Sequence, residues 1–137
     1  MSEKAFTLFS KSLRDEVSKL GWKKPTLIQG KVIPIILKGE HVLLIAPTGT
    51  GKTEAAIFPV FEQFIKKRSK QKGQSISILY ITPLRALNRD IFRRIVEIGK
   101  HLKINVQLRH GDTQQSARRK QALSPPDMLI TTPEDAK

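Results

Sequence analysis

The segment 46–53 carries the residue types that bind a phosphate chain: two glycines, a lysine and a hydroxyl. It reads Ala-Pro-Thr-Gly-Thr-Gly-Lys-Thr. Gly49 and Gly51 let the backbone curl so that its N–H groups point inward at an anion. Lys52 adds a mobile positive charge, and Thr53 adds a hydroxyl that can bind the Mg2+ of a nucleotide. The spacing follows the general phosphate-loop pattern, with alanine in place of its leading glycine.

The elements around this segment decide between a phosphate loop and a chance glycine-rich turn. The apolar run 41–46 leads directly into it and predicts a buried strand. The apolar pattern 55–64, which contains Pro59, predicts a kinked helix directly after it, with the positive N-terminal end at the loop. This order favours nucleoside triphosphate binding by Ala46, Pro47, Thr48, Gly49, Thr50, Gly51, Lys52, Thr53 and Glu54. Lys52 and Thr53 are the predicted catalytic residues, and Thr53 is the predicted Mg2+ ligand, through the nucleotide.

The remaining apolar patterns predict an α/β fold. Apolar runs at 76–81, 104–108 and 127–130 predict three more strands. Between the first two of these, a stripe at three- and four-residue spacing predicts a helix with Leu84, Leu87, Ile91, Ile95 and Ile98 on one face. Alternation of strands and helices predicts a parallel sheet with helices on both faces.

Two helices are predicted before the first strand. The first has an apolar face of Phe6, Phe9, Leu13, Val17 and Leu20, and Gly21 ends it. The second begins at Thr26 and ends near Gly39, with Pro34 expected to kink it. Thr26 and Gln29 form the pattern of a capping box, in which their side chains bind the N–H groups at the helix start.

The end of the chain predicts the start of another helix. Thr132 is the expected cap, Pro133 takes the first helical position, and two acids follow in the first turn. A helix that stops at Lys137 would bury almost nothing. We therefore expect these residues to be part of a larger domain.

The composition indicates a polyanionic partner. The net charge is +13, and such an excess favours nucleic acid because basic residues release counterions from a phosphate backbone. A solvated lysine-rich surface is the alternative, and the basic run 66–73 predicts an exposed loop that is either a linker or a contact. The chain has no cysteine, and its histidines lack metal-ligand spacing. Its apolar runs are too short for a bilayer and its first residues lack a signal-peptide core, which predicts a cytoplasmic protein without a membrane partner.

Several blocks resemble the motifs of superfamily 2 helicases, in the same order along the chain. The phosphate loop of this chain is similar in form to that of these helicases, whose loops tolerate alanine at the first position. Residues 21–29 look like the adenine-reading Q motif, and 82–87 look like motif Ia. Residues 109–113 look like the Gly-Asp block of motif Ib, and 131–134 look like the Thr-Pro-Glu block after it. Within the superfamily, the chain is most similar to the large-helicase-related (Lhr) type of DExH proteins.

This resemblance implies the first of two RecA-like domains, which bind ATP and Mg2+ between them and hold single-stranded DNA or RNA across their top. It implies that Gln29 contacts adenine, in addition to capping a helix. The implied nucleic-acid contacts are Pro83, Leu84, Arg85, Gly111, Asp112, Thr132 and Pro133. The same residues have local explanations as turns and helix starts, so both interpretations stay open.

The resemblance assigns residues 1–39 to a helical segment with the Q motif, and 40–137 to the first part of a RecA-like ATP-binding domain of a helicase, an ATP hydrolase. The DExH motif and the second domain, with its arginine fingers, are not among these residues. We therefore expect the chain alone to bind ATP without hydrolysing it, and to need the remainder of the helicase as its partner. The alternatives are a non-catalytic module that binds nucleotide or nucleic acid, and a nucleotide kinase, which motif Ia and Thr-Pro-Glu disfavour.

Overall fold

The computed structural model describes residues 2–68, 75–83, 89–110 and 114–135. They belong to two compact units, Met1–Gln71 and Lys72–Lys137. The first unit contains a 3-10 helix (Ser2–Leu8), α1 (Lys11–Lys19), α2 (Leu27–Leu37) and α3 (Lys52–Arg68). The second unit contains β1 (Ile78–Ile81), α4 (Arg89–His101), β2 (Val106–Arg109), α5 (Gln115–Leu123), β3 (Met128–Thr131) and a 3-10 helix (Pro133–Asp135).

Aromatic side chains form the centre of the first unit. Phe6 and Phe9 stack with their ring centroids 6.0 Å apart, and each meets Phe58 edge-on at 6.3 Å. The other deeply buried apolar side chains are Leu13, Val17, Ile33, Ala55, Ile57 and Phe61. Each large side chain buried in this way contributes about 1.5–3 kcal/mol relative to an exposed one. This core holds α3, and therefore the segment that precedes it, against the N-terminal helices.

The first predicted helix is in fact two helices. The 3-10 helix ends at Leu8, and α1 begins after Ser10, whose extended backbone makes it the N-cap. Four of the predicted face residues are buried, whereas Leu20 is exposed. The break arises because the backbone N–H of Ser10 donates to both carboxylate oxygens of Glu62, a fully buried residue of α3. The Ser10 side chain makes no capping hydrogen bond, so Glu62 caps α1 from a distant helix.

Both proline-containing helices of the first unit are formed, while the kinks expected at their prolines stay predictions. Pro34 lies inside α2 and Pro59 lies inside α3. The basic run 66–73 is predicted to be a loop, but its first three residues are helical because α3 extends to Arg68. Three basic residues in the last turn interact favourably with the negative end of the helix. The Arg68 guanidinium also lies 5.9 Å from the centroid of the Phe64 ring, and residues 69–73 lie outside the described part of the chain.

The strand predicted at 41–46 is not formed. No residue of this segment is assigned to a strand, and Leu43 and Ile45 are 87% and 83% exposed. A β-strand needs a hydrogen-bonded neighbour, and the three strands of the described sheet pair with one another. The apolar pattern identifies a segment suited to a sheet, but it does not provide the neighbouring strand.

The strands predicted at 76–81, 104–108 and 127–130 are confirmed with slightly different bounds. They form a parallel sheet in the order β1-β3-β2. The central strand β3 is buried at every position, as expected inside a parallel sheet. In register, Thr131 of β3 aligns with Ile81 of β1 and Arg109 of β2. The carboxyl ends of all three strands therefore lie side by side.

The helices of the second unit connect these strands. The predicted helix before β2 is confirmed as α4, with Ile95 and Ile98 buried, while Leu84 and Leu87 lie outside the described residues. At Gly99 a side chain would begin only 2.8 Å from Val106, so α4 approaches β2 closely at this point. Among the residues that the structure describes, every helix is too short or too polar to cross a membrane.

Replacing Glu62 with methionine should destabilise the first unit by about 2 kcal/mol, because Ser10 would lose a charged acceptor for its backbone N–H while the volume stays filled. Urea unfolding followed by circular dichroism measures the difference. Glu40→Met, at an exposed position of the same unit, is the matched control, and should change stability by less than about 0.5 kcal/mol. Equal unfolding midpoints for the two variants would contradict the capping role of Glu62.

Candidate nucleotide-binding site

The glycine-rich segment 46–53 forms a curled loop that leads into α3 at Lys52. Gly49 and Gly51 have φ angles of +79° and +78°, a left-handed conformation that other residues rarely adopt. The Thr50 hydroxyl donates to the Pro47 carbonyl at 2.7 Å and closes the turn. Curled backbone of this kind at a helix start presents N–H groups to an anion.

Lys52 lies across this loop. Its Nζ donates to the carbonyl oxygen of Ala46 at 2.5 Å, so the ammonium group links the two ends of the loop. Thr53 and Glu54 follow in the first turn of α3 and are partly exposed. The loop therefore combines a helix N-terminus, a mobile cation and an accessible hydroxyl.

Gln29 links the start of α2 to the phosphate loop. Its Oε1 accepts from the N–H of Thr26 at 3.0 Å, and its Nε2 donates to the carbonyl of Gly51 at 3.3 Å. The Thr26 hydroxyl accepts from the N–H of Gln29 at 3.2 Å and donates to the carbonyl of Thr50 at 2.9 Å. The predicted capping box is confirmed, and it also fixes two carbonyl groups of the loop.

The side chain of Gln29 is completely buried, and both ends of its amide bind protein atoms. Its contact with adenine stays a prediction. The sequence pattern identified Thr26 and Gln29 as caps but missed their bonds to Thr50 and Gly51. These bonds join residues more than twenty positions apart, and local patterns carry no signal for such contacts.

Gly51 is required for space as well as for conformation. A Cβ atom at this position would lie 2.4 Å from Nε2 of Gln29 and 3.3 Å from the ring of Trp22. At Gly49, by contrast, an added Cβ would meet nothing within 4 Å. The two glycines share a backbone conformation and differ in packing.

The predicted nucleic-acid contacts that the structure describes lie at the carboxyl edge of the sheet. The N–H of Thr82 donates to the carbonyl of Thr131 at 3.0 Å, which places Pro83 beside the turn that begins at Thr132. Pro83 and Pro133 are exposed, whereas Thr132 is buried. The other predicted contacts, Leu84, Arg85, Gly111 and Asp112, lie outside the described residues.

Arg118 on α5 connects two of the strand ends at this edge. Its Nη2 donates to the carbonyl of His110, directly after β2, at 2.9 Å and to Oδ1 of Asp135 at 3.1 Å. The Thr132 hydroxyl donates to Oδ2 of the same carboxylate at 3.2 Å. Thr132 lies directly before a 3-10 turn, where the sequence predicts a helix start. Its hydroxyl donates to the Asp135 carboxylate, so the capping bond to a backbone N–H stays a prediction.

The hydrogen bond from Arg118 is the main cause that lowers the pKa of Asp135 below its ordinary value of 3.8, and Thr132 and the charge of Arg109 act in the same direction. Partial desolvation opposes them. Because the folded-state pKa is depressed, these bonds stabilise the fold fully at neutral pH. Their contribution falls only as the pH drops below 3.8 towards the lowered pKa.

The parallel sheet and the glycine-rich loop at a helix start together define a phosphate-loop domain of the RecA-like class. Residues 26–137 match the model of the DEAD/DEAH box helicase family. The chain belongs to this family.

Three similar proteins illustrate the relationship. The Lhr helicase/uracil glycosylase of Escherichia coli K12 is 34% identical over 93% of this chain, and the match spans 9% of that protein. The structure of Mycobacterium smegmatis helicase Lhr bound to ssDNA and AMP-PNP is 32% identical, with a TM-score of 0.73, and the match covers 95% of this chain and 18% of that one. The DEAD-box helicase Mss116 bound to ssRNA and UDP-BeF is 26% identical, with a TM-score of 0.78 and coverages of 91% and 26%. The resemblance to Lhr-type helicases is confirmed, and the chain spans a small part of each protein it matches.

Gly51→Ala should destabilise the first unit more than Gly49→Ala. Both changes place an alanine in the left-handed region, which costs about 1–2 kcal/mol, but only the first forces Gln29 to leave its buried hydrogen bonds. Urea unfolding of both variants measures the difference. Gln29→Ala combined with Gly51→Ala should be less destabilising than the sum of the single changes. Equal effects at the two glycines would contradict the packing role of Gln29.

Proposed function

We propose that this chain binds ATP with Mg2+ through the loop 46–53, as part of the motor domain of an ATP-dependent nucleic-acid helicase. The observation that carries the proposal is the position of Lys52, whose ammonium group lies across a loop with two left-handed glycines at the start of α3. A nucleotide with a phosphate chain fits this combination of donors. AMP-PNP is present in the structure of the Mycobacterium smegmatis relative.

The residues have distinct roles in this proposal. The N–H groups of the loop bind phosphate oxygens, Lys52 neutralises the outer phosphates, and the Thr53 hydroxyl binds Mg2+ held by the nucleotide. Gln29 keeps the loop in its curled form through Gly51, and it contacts adenine if nucleotide binding turns its amide outward. Residues 1–39 form the helical segment that supports the loop, and 40–137 belong to the ATP-binding domain of a cytoplasmic enzyme.

We further propose that these 137 residues alone do not turn over ATP. Hydrolysis in such motors requires a carboxylate that holds Mg2+ and positions water, and an arginine finger that adds about three to five orders of magnitude in rate. The DExH motif, which supplies such carboxylates in the helicases that the chain resembles, is not among these 137 residues. A second RecA-like domain is the proposed source of the arginine finger.

A second proposed activity is binding of a single nucleic-acid strand at the carboxyl edge of the sheet. The aligned strand ends bring Thr82, His110 and Thr132, which follow the three strands, to one edge, where open parallel sheets bind ligands. The +13 charge of the chain adds long-range attraction. Such contacts involve phosphate rather than bases, so binding is expected to tolerate sequence changes.

Lys52→Ala should abolish ATP binding, because the outer phosphates would lose their cation. Binding by the starting chain should itself be weak, since one domain covers only part of the nucleotide. Titration calorimetry with ATP and Mg2+ measures both affinities.

Lys38→Ala removes the same charge from an exposed position of α2's C-cap and should leave binding unchanged. Equal ATP affinity in the Lys52 and Lys38 variants would refute the phosphate-loop proposal. Steady phosphate release by the starting chain that disappears in Lys52→Ala would refute the proposal that it cannot turn over ATP.

Single-strand binding should weaken steeply with salt. A site that neutralises about three phosphates has a log–log slope near −2, at roughly 0.7 per phosphate. Arg85→Ala should weaken binding of every sequence and flatten this slope. Fluorescence anisotropy with a labelled oligonucleotide, measured across a salt series, gives both quantities.

Arg93→Ala, at an exposed position of α4, is the matched control and should have little effect. Replacement of Lys66 and Lys67 by glutamine tests the alternative that the basic run does the binding. If this double variant loses binding while Arg85→Ala keeps it, the proposed sheet-edge site is wrong.

A further inference from the structure

We propose that Arg118 is a positioning residue that holds the end of β2 and the turn after β3 in one fixed arrangement, so that both can contact the backbone of a single nucleic-acid strand. This inference rests on the proposed nucleic-acid site and names the side chain that organises it. Arg118 itself does not contact the strand. It acts through the backbone at His110 and through the turn formed by Thr132 and Asp135.

The hydrogen bonds of Arg118 give it this role. One nitrogen, Nη2, donates to the His110 carbonyl and to the Asp135 carboxylate, at 2.9 Å and 3.1 Å. The other oxygen of that carboxylate accepts from the Thr132 hydroxyl. A movement of either strand end therefore breaks bonds that hold the other. A planar guanidinium can make these bonds at a fixed angle, whereas a lysine ammonium lacks this geometry.

Burial and charge distinguish Arg118 from the basic residues beside it. The side chains of Arg118 and Asp135 are 26% and 18% exposed, so the pair is largely enclosed. Arg119 and Lys120, the next two residues of α5, are exposed. The charge of Arg118 is paired with a carboxylate, and this makes it a poor phosphate ligand compared with its exposed neighbours.

Removal of the Asp135 carboxylate distinguishes a positioning role from simple electrostatic repulsion, because the two predict opposite changes in affinity for the strand. A carboxylate at an edge that binds phosphate repels the ligand, so its removal should tighten binding if charge alone matters. If the Arg118–Asp135 link positions the two strand ends, the same removal should weaken binding. The direction of the change separates positioning from simple electrostatics.

The experiment compares Arg118→Ala, Asp135→Ala, the double variant and Arg119→Ala in the full 137-residue chain. Fluorescence anisotropy with a labelled single-stranded oligonucleotide is measured across a salt series, below the unfolding temperature of every variant. Arg118→Ala and Asp135→Ala should each weaken binding roughly fivefold, and the double variant should be no weaker than either, because the two residues act as one unit. The salt slope should stay as in the starting chain, because neither change removes a cation that neutralises a phosphate. Arg119→Ala should leave the affinity within about twofold.

Two results would overturn the inference. Tighter binding by Asp135→Ala would show that its charge matters and its link to Arg118 does not. A slope flattened by about 0.7 in Arg118→Ala would show that Arg118 binds a phosphate directly.

Failure of the underlying proposal has a different signature. If the starting chain binds no single strand at low salt, the proposed nucleic-acid site is wrong. Hydrogen exchange then still decides whether Arg118 holds the turn: the peptide containing Thr132 should exchange faster in Arg118→Ala than in Arg119→Ala. Equal exchange would overturn the positioning role.

Discussion

The buried amide of Gln29 is the interaction on which the candidate site depends. It closes the capping box of α2 on one side and binds the carbonyl of Gly51 on the other. A buried amide that lost these partners would cost about 1–3 kcal/mol, so the loop and the helix start hold each other in place. A Cβ at Gly51 would require the Gln29 amide to move from its present position. The same contacts thus fix the shape of the loop and restrict which residues can form it.

Strand pairing is the second constraint. β3 lies between two parallel neighbours and is buried throughout, which is the environment that apolar strands need. The segment 41–46 has an equally apolar sequence, yet it remains exposed and outside the described sheet. Apolar side chains make a segment suitable for a sheet, but the neighbour that accepts its hydrogen bonds decides whether a strand forms.

Acidic residues are few in this basic chain, and two of them serve as tertiary connectors. Glu62 of α3 accepts the backbone N–H of Ser10 and so sets where α1 begins. Asp135 joins Arg118 to Thr132 at the carboxyl edge of the sheet. In both cases a carboxylate joins segments that are far apart in the sequence, and its partners decide where a helix begins or a turn is held.

The sequence by itself determined the phosphate loop, the capping box, the strands β1 to β3 and the membership of the helicase family. These features depend on residues that are close together in the chain: glycines that adopt left-handed conformations, a threonine three residues before a glutamine, and short apolar runs. Tertiary structure decided the break at Ser10, the absence of segment 41–46 from the described sheet, and the bonds of Gln29 and Arg118. Each of these depends on a partner far away in the sequence, and a local pattern can show that a group needs a partner without showing which residue provides it.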